Sequence, residues 1–199
     1  MGKIPEGLSA HGLVGTKGRV AQTATIYTLT IDLADMDRGV YETLDLRIAR
    51  HPSETAEYML TRVLAYCLEY QEGIGLTEGV SSGDEPALLV RDLTGRITAW
   101  IEVGMPDAGR LHKGSKLAGR VAVYTHRDPA LLLRQLAGEK IHRPEALELY
   151  ALDPALVAGL VQRLERRMAF DLSVTDRHLY LSLGEATLSG AVERFRLGP

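Results

Sequence analysis

Residues 84–113, DEPALLVRDLTGRITAWIEVGMPDAGRLHK, decide how the rest of this 199-residue chain is read. The stretch opens on an acidic pair, Asp84 and Glu85. An apolar run over 87–91 follows, then the turn sequence DLTG and a second run over 96–103. In the second run Ile97, Ala99, Ile101 and Val103 share one face of an extended chain, and Thr98, Trp100 and Glu102 share the other. Asp92 suits the tight turn between the runs, and Asp107 suits the short Gly/Pro loop that precedes a helix over 109–118. The turn brings residues 84–85 back to the strand end that carries Glu102.

Strands and helices alternate beyond this point. VAVYT at 121–125 reads as a strand, DPALLLRQL as a helix, and ALELYAL at 146–152 as a strand, an order that implies parallel crossovers. Asp153 and Pro154 open a further helix through about Arg167, and 169–184 reads as a closing hairpin. Upstream, TIYTLTIDL at 25–33 has strand composition. Leu44, Leu46 and Ile48 alternate with polar neighbours over 41–50, so the two segments form an antiparallel hairpin. Pro52 and Ser53 start a helix that runs to about Tyr70, with Glu54 and Glu57 in its first turn and Cys67 on its apolar face. The Gly/Ser-rich segment 71–83 is long enough for a mobile flap beside a site. The expected fold is α/β, a mixed β-sheet core flanked by helices with an N-terminal antiparallel hairpin. It forms one domain over 23–199 behind a flexible extension at 1–22.

Composition narrows the classes of function. The 26 acidic residues exceed the 23 basic ones, giving a formal charge of −3. A constitutive nucleic-acid coat would be strongly basic, so the balance counts mildly against tight DNA binding, and any contact with nucleic acid must come from a local basic patch. No apolar run reaches membrane-spanning length, and 1–22 lacks the continuous apolar core of a secretory signal, so a cytoplasmic location is expected with no membrane partner. The single cysteine cannot form an internal disulfide. The six histidines show no zinc-ligand spacing. P-loop, dinucleotide-binding and GxSxG signatures are absent from the sequence.

Glu102 near the carboxyl end of its strand and the acids of 84–85 brought beside it can share a Mg²⁺ or Mn²⁺ ion. Such ions take oxygen ligands and supply hydroxide for phosphodiester hydrolysis. That chemistry also wants a lysine close to the attacking water. Gly104 stands two residues after Glu102, where the strand would carry it, so Lys113 on the following helix is the candidate replacement. Arg110, three residues earlier on the same helical face, is a candidate substrate contact. Glu54 is a candidate fourth polar group. A single strand-end acid is, however, more commonly the ion-pair partner of a nearby Arg110 or Lys113 than a metal ligand. Trp100 can stack on a base, although packing beneath the 71–83 segment is the commoner role for such a residue.

The segments ATIYTLTIDLADMDR at 24–38, ARHPSET at 49–55, DEP at 84–86 and WIEVGMPDAGRLHK at 100–113 resemble the YaeQ family of small bacterial proteins. The resemblance runs from residue 23 to the end. It implies a restriction-endonuclease-like fold of the PD-(D/E)xK type with a rearranged site. By position Asp84 resembles the first acid and Glu102 the second. Lys113 resembles a lysine displaced onto the following helix, and Glu54 the helix acid that some such enzymes add. What it implies of function is a divergent Mg²⁺-dependent nuclease. The alternative is a non-catalytic module of the same fold that contacts nucleic acid or protein in a regulatory role.

Overall fold

The computed structural model describes residues 23–77 and 85–197. The expected extension at 1–22 and the candidate acid Asp84 lie outside the described residues. Strands β1 (Thr25–Asp35) and β2 (Val40–Arg50) form the hairpin, joined through Gly39 at φ 67°. Its register sets Leu29 against Leu46, Ile31 against Leu44 and Tyr27 against Ile48. All six are buried, so a one-residue slip would turn the whole apolar set to solvent. On the outer face Thr30 donates to Asp45 at 2.8 Å and Thr43 donates to Asp32 at 2.6 Å.

Helix α1 (Ala56–Leu68) begins later than Pro52 and Ser53 suggest. Thr55 is its N-cap, its hydroxyl accepting from the Tyr58 amide, while the Ser53 hydroxyl is taken up by His51 at 2.6 Å. Leu60, Val63, Leu64 and Cys67 are buried, as their helical spacing implies, together with Met59, while Leu68 is half-buried. Burial pushes the Cys67 thiol up to about 12, which keeps it protonated and inert.

Strand β3 (Ile74–Leu76) pairs with β4 (Leu88–Arg91), and β4 pairs antiparallel with β5 (Ile97–Val103). Asp92 closes the β4–β5 turn by accepting from Thr94 and the Arg96 amide. Helix α2 (Ala108–Leu117) leads to β6 (Arg120–Thr125), and α3 (Pro129–Leu136) leads to β7 (Leu147–Leu152). Strands β5, β6 and β7 are parallel neighbours, as the alternation requires. Ala99, Ile101 and Val103 face the core that holds α1, while Trp100 joins Leu111, Val121 and Leu132 in a second core on the opposite face.

The C-terminal third departs from expectation. Helix α4 (Pro154–Val161) stops well short of Arg167, because Arg167 begins β8 (Arg167–Thr175), paired parallel with β1 at Thr28. Strand β9 (His178–Leu183) closes the expected hairpin, and the sequence reading has no place for β10 (Ala186–Phe195). Strand β10 lies between β9 and β7 and joins the two halves into one ten-stranded sheet, ordered β2-β1-β8-β9-β10-β7-β6-β5-β4-β3. Only Gly190 and Val192 of β10 are buried, too few for a legible alternation. Gly190 is where α4 meets the strand; a Cβ there would lie 2.6 Å from that of Asp153. The result is a mixed α/β fold with helices on both faces of one sheet. Among the described residues no helix is long and apolar enough to cross a membrane.

Candidate functional site

Glu102 is the penultimate residue of β5, at the carboxyl end of the parallel strands, where open α/β sheets gather ligands. It is only 2% exposed. Alternation places it on the face of Trp100, whose indole Nε1–H donates to Oε1 at 2.8 Å. Asp107 caps α2 by accepting the Arg110 amide at 2.9 Å, which sets the helix directly above the strand end. From the first turn of α2, Arg110 closes a fork on the carboxylate: Nε to Oε1 at 3.1 Å and Nη2 to Oε2 at 3.2 Å. Nη2 also donates to the Glu85 carbonyl, so the segment before β4 does return to this end. Both carboxylate oxygens therefore accept charge-assisted hydrogen bonds. Burial nevertheless raises the Glu102 pKa, outweighing the charge and hydrogen bond of Arg110 and the bond from Trp100.

Glycine at 104 has a backbone cause. Gly104 sits at φ 81°, a conformation L side chains rarely adopt, and its amide donates to the Tyr124 carbonyl at 2.8 Å. A Cβ there would press on the Tyr58 ring at 3.3 Å. A lysine at this position would strain the strand end. Lys113 instead stands half-buried on α2 with its ammonium 6.0 Å from the Trp100 ring centre, on the side of the strand that carries Glu102.

Two candidates are corrected. Trp100 offers no face to a base: it is 2% exposed and packs beneath α2, while most of the 71–83 segment lies outside the described residues. Gly114 allows that approach, since a Cβ there would lie 2.6 Å from the indole. Glu54 is not a fourth group of the Glu102 pair. Its Oε1 accepts Arg62 Nη1 at 2.7 Å, its Oε2 accepts the His51 amide at 3.2 Å, and both side chains are buried.

Tyr58 and Arg62 are the residues that sequence reasoning missed. Arg62 carries a visible signal, a charge inside the apolar helical run MLTRVLAYCL. Tyr58 carries none. Its ring lines a cleft of about 300 Å³ with Glu102, Met105, Asp107 and Arg110. Burial, with Glu102 and Glu54 adding, raises its phenol to about 12 against the pull of Arg62 and Arg110, so it remains a neutral donor.

The fit of a divalent cation follows from these donors. Mg²⁺ needs several oxygen ligands in near-octahedral order. Glu102 is already engaged on both oxygens, and among the described residues no three His, Cys, Asp or Glu side chains are grouped to hold an ion. The described residues do not fit a metal centre.

Fold and site together define a mixed α/β protein with a buried, guanidinium-clamped glutamate at the carboxyl end of its parallel strands. The model of the YaeQ protein family matches residues 20–192, and the chain belongs to that family. The YaeQ protein of Escherichia coli (strain K12) is 34% identical over 164 residues, covering 82% of this chain and 91% of its own. The Salmonella typhi YaeQ protein matches to the same extent. The crystal structure of YaeQ from Xanthomonas axonopodis pv. citri superposes with a TM-score of 0.78 at 29% identity, covering 88% of this chain and all of that one. The YaeQ structure from Pseudomonas syringae gives the same score and identity, with 97% of that chain covered.

Proposed function

We propose that this chain is a PD-(D/E)xK-derived, restriction-endonuclease-like module that engages the backbone of nucleic acid without cutting it. The reading rests on the arginine fork: Arg110 occupies both oxygens of Glu102, the carboxylate that a nuclease would turn towards a metal. Support for the fold assignment is the order strand, turn, strand bearing Glu102 and basic helix, with Glu85 ahead of the first strand returned to the Glu102 end. Lys113, one turn after Arg110 on α2, supplies positive charge beyond the Arg110–Glu102 pair for such a contact. Phosphate contacts of this kind give affinity without reading sequence. A regulatory role follows more naturally than turnover.

A second reading, a divergent Mg²⁺-dependent nuclease using Asp84, Glu102 and Lys113, draws on one observation. Lys113 stands over Trp100, which is itself bonded to Glu102, so the displaced lysine is on the correct side of the strand. One assay separates the two. The protein is incubated with single- and double-stranded DNA and RNA in Mg²⁺, Mn²⁺ or EDTA, and binding and strand integrity are followed together. The module predicts salt-dependent binding, intact strands in every buffer, and a duplex salt slope shallower by ~0.9 in Lys113→Ala. Metal-dependent cleavage that Lys113→Ala abolishes would establish the nuclease instead.

A further inference from the structure

A cavity of about 670 Å³ opens beside Arg120, at the far end of α1 from Tyr58 and the Glu102 cleft. Asp35, Asp37 and Glu69 line it with Arg38, Arg120 and Arg177, so the formal charges of its walls cancel. The carboxylates are occupied on every oxygen. Asp35 accepts the Arg38 amide at 3.1 Å and the Arg38 Nε–H at 2.6 Å. Asp37 accepts the amides of Asp176 and Arg177 at 2.7 and 2.8 Å. Glu69 accepts Arg120 on both oxygens and Tyr124 on one. Two of the arginines are held as firmly, Arg38 on Asp35 and the Tyr70 and Cys67 carbonyls, Arg120 between Glu69 and Glu148. The third is not. Arg177 is exposed, and its guanidinium has no ion pair or hydrogen bond among the described residues.

Arg177 is also held in a conformation that side chains resist. Asp176 and Arg177 are the central residues of the two-residue β8–β9 turn, at φ 52° and 56°, where Asn-Gly is the favoured pair. Backbone in so sparsely populated a region persists only where its surroundings fix it, and it gathers at ligand clamps. Asp37 fixes it here through both amides, and the Arg177 carbonyl accepts the amide of Val192 on the cavity wall at 2.7 Å. The apolar part of that wall is Val174 and Val192, both buried, with Val40 and Leu68 half-buried. One guanidinium fork matches the two oxygens of one carboxylate. A dianion would leave the balanced walls two charges negative, a monoanion only one. The volume suits a small organic molecule rather than a bare ion.

We infer that this cavity binds a small organic monocarboxylate, with Arg177 pairing with the carboxylate and the hydrocarbon body lying on Val40, Leu68, Val174 and Val192. The inference is independent of how Glu102 is read. The incoming carboxylate supplies the acceptor that the committed acids of the lining do not offer to Arg177.

The test titrates octanoate, octanamide and acetate separately into the full chain at constant ionic strength and follows backbone amide resonances by NMR. Octanoate is expected to shift the amides of Val174, Arg177 and Val192. Octanamide keeps the body without the charge, and acetate the charge without the body, so each should bind about tenfold or more weakly than octanoate. Arg177→Gly removes the guanidinium and suits the positive φ, so it should fold normally and weaken octanoate about tenfold. Octanoate that leaves these three amides unmoved would overturn the inference, as would unchanged affinity in Arg177→Gly. Octanamide binding as tightly as octanoate would overturn it too, since the cavity would then select the body alone.

Discussion

Two groups of arginine and glutamate stand at opposite ends of the parallel strands, and burial is resolved in opposite senses at each. At the amino end Arg120, the first residue of β6, is held between Glu69, at 2.6 and 2.8 Å, and Glu148, at 2.9 Å. Tyr124 donates to Glu69 at 2.6 Å and Tyr150 to Glu148 at 3.1 Å. Burial works to raise the Glu148 pKa, but Arg120 and Tyr150 outweigh it and hold the carboxyl below its usual range. At the carboxyl end Glu102 has its own arginine fork and an indole donor, and burial still wins. One arginine shared by two acids, each with a phenol donor, is a clamp that ties α1, β6 and β7 together. A deeply desolvated acid whose single arginine opens on a cleft is a charge the fold carries at a cost, which is the arrangement found where sites are built.

The comparison can be broken most forcefully at the clamp. Arg120→Ala strands Glu69 and Glu148, and should remove about 3 kcal/mol from unfolding in urea at pH 7, the low end for a buried pair because Arg120 is 34% exposed. Arg110→Ala should cost less, about 1–2 kcal/mol, because Glu102 can take up a proton instead. That loss should be greater at pH 8 than at pH 5. Equal losses for the two variants would erase the distinction. Gly104→Lys places a lysine two residues after Glu102, and should cost about 1–2 kcal/mol through its positive φ while creating no cleavage activity.

The smallest effect is the pH dependence. Glu102 has a raised pKa in the folded state, so the fold holds its proton more tightly than the unfolded chain does. Its contribution is present below the ordinary carboxyl value and is lost as pH rises through the raised one. Glu148 is depressed, so its contribution is present above the ordinary value and is lost as pH falls through the lowered one. Urea midpoints between pH 3 and 8 should therefore lose the first dependence in Glu102→Gln and the second in Glu148→Gln. A shared response would contradict the two opposite shifts.

What could be read from the chain was whatever local chemistry specifies. Alternation in 41–50, the Asp92 turn and the Asp107 cap are decided by neighbouring residues, and each stands where its type requires. The ion-pair alternative for Glu102 was legible too, because Arg110 lies one turn into the helix that must follow. Elements decided by distant pairing were not legible. The early end of α4 is set by β8 joining β1, and β10 is held by partners on both sides rather than by its own pattern. Glu54 was placed wrongly for a similar reason: its partner Arg62 is two helical turns away on a face that otherwise reads as core.

The most direct test of the central claim is a calorimetric titration of Mn²⁺ into the wild-type protein and into Glu102→Ala. A carboxylate clamped by Arg110 and Trp100 predicts equal, weak, non-specific heats in both. A stoichiometric binding heat in the wild type that disappears in Glu102→Ala would show a working metal centre and contradict the account.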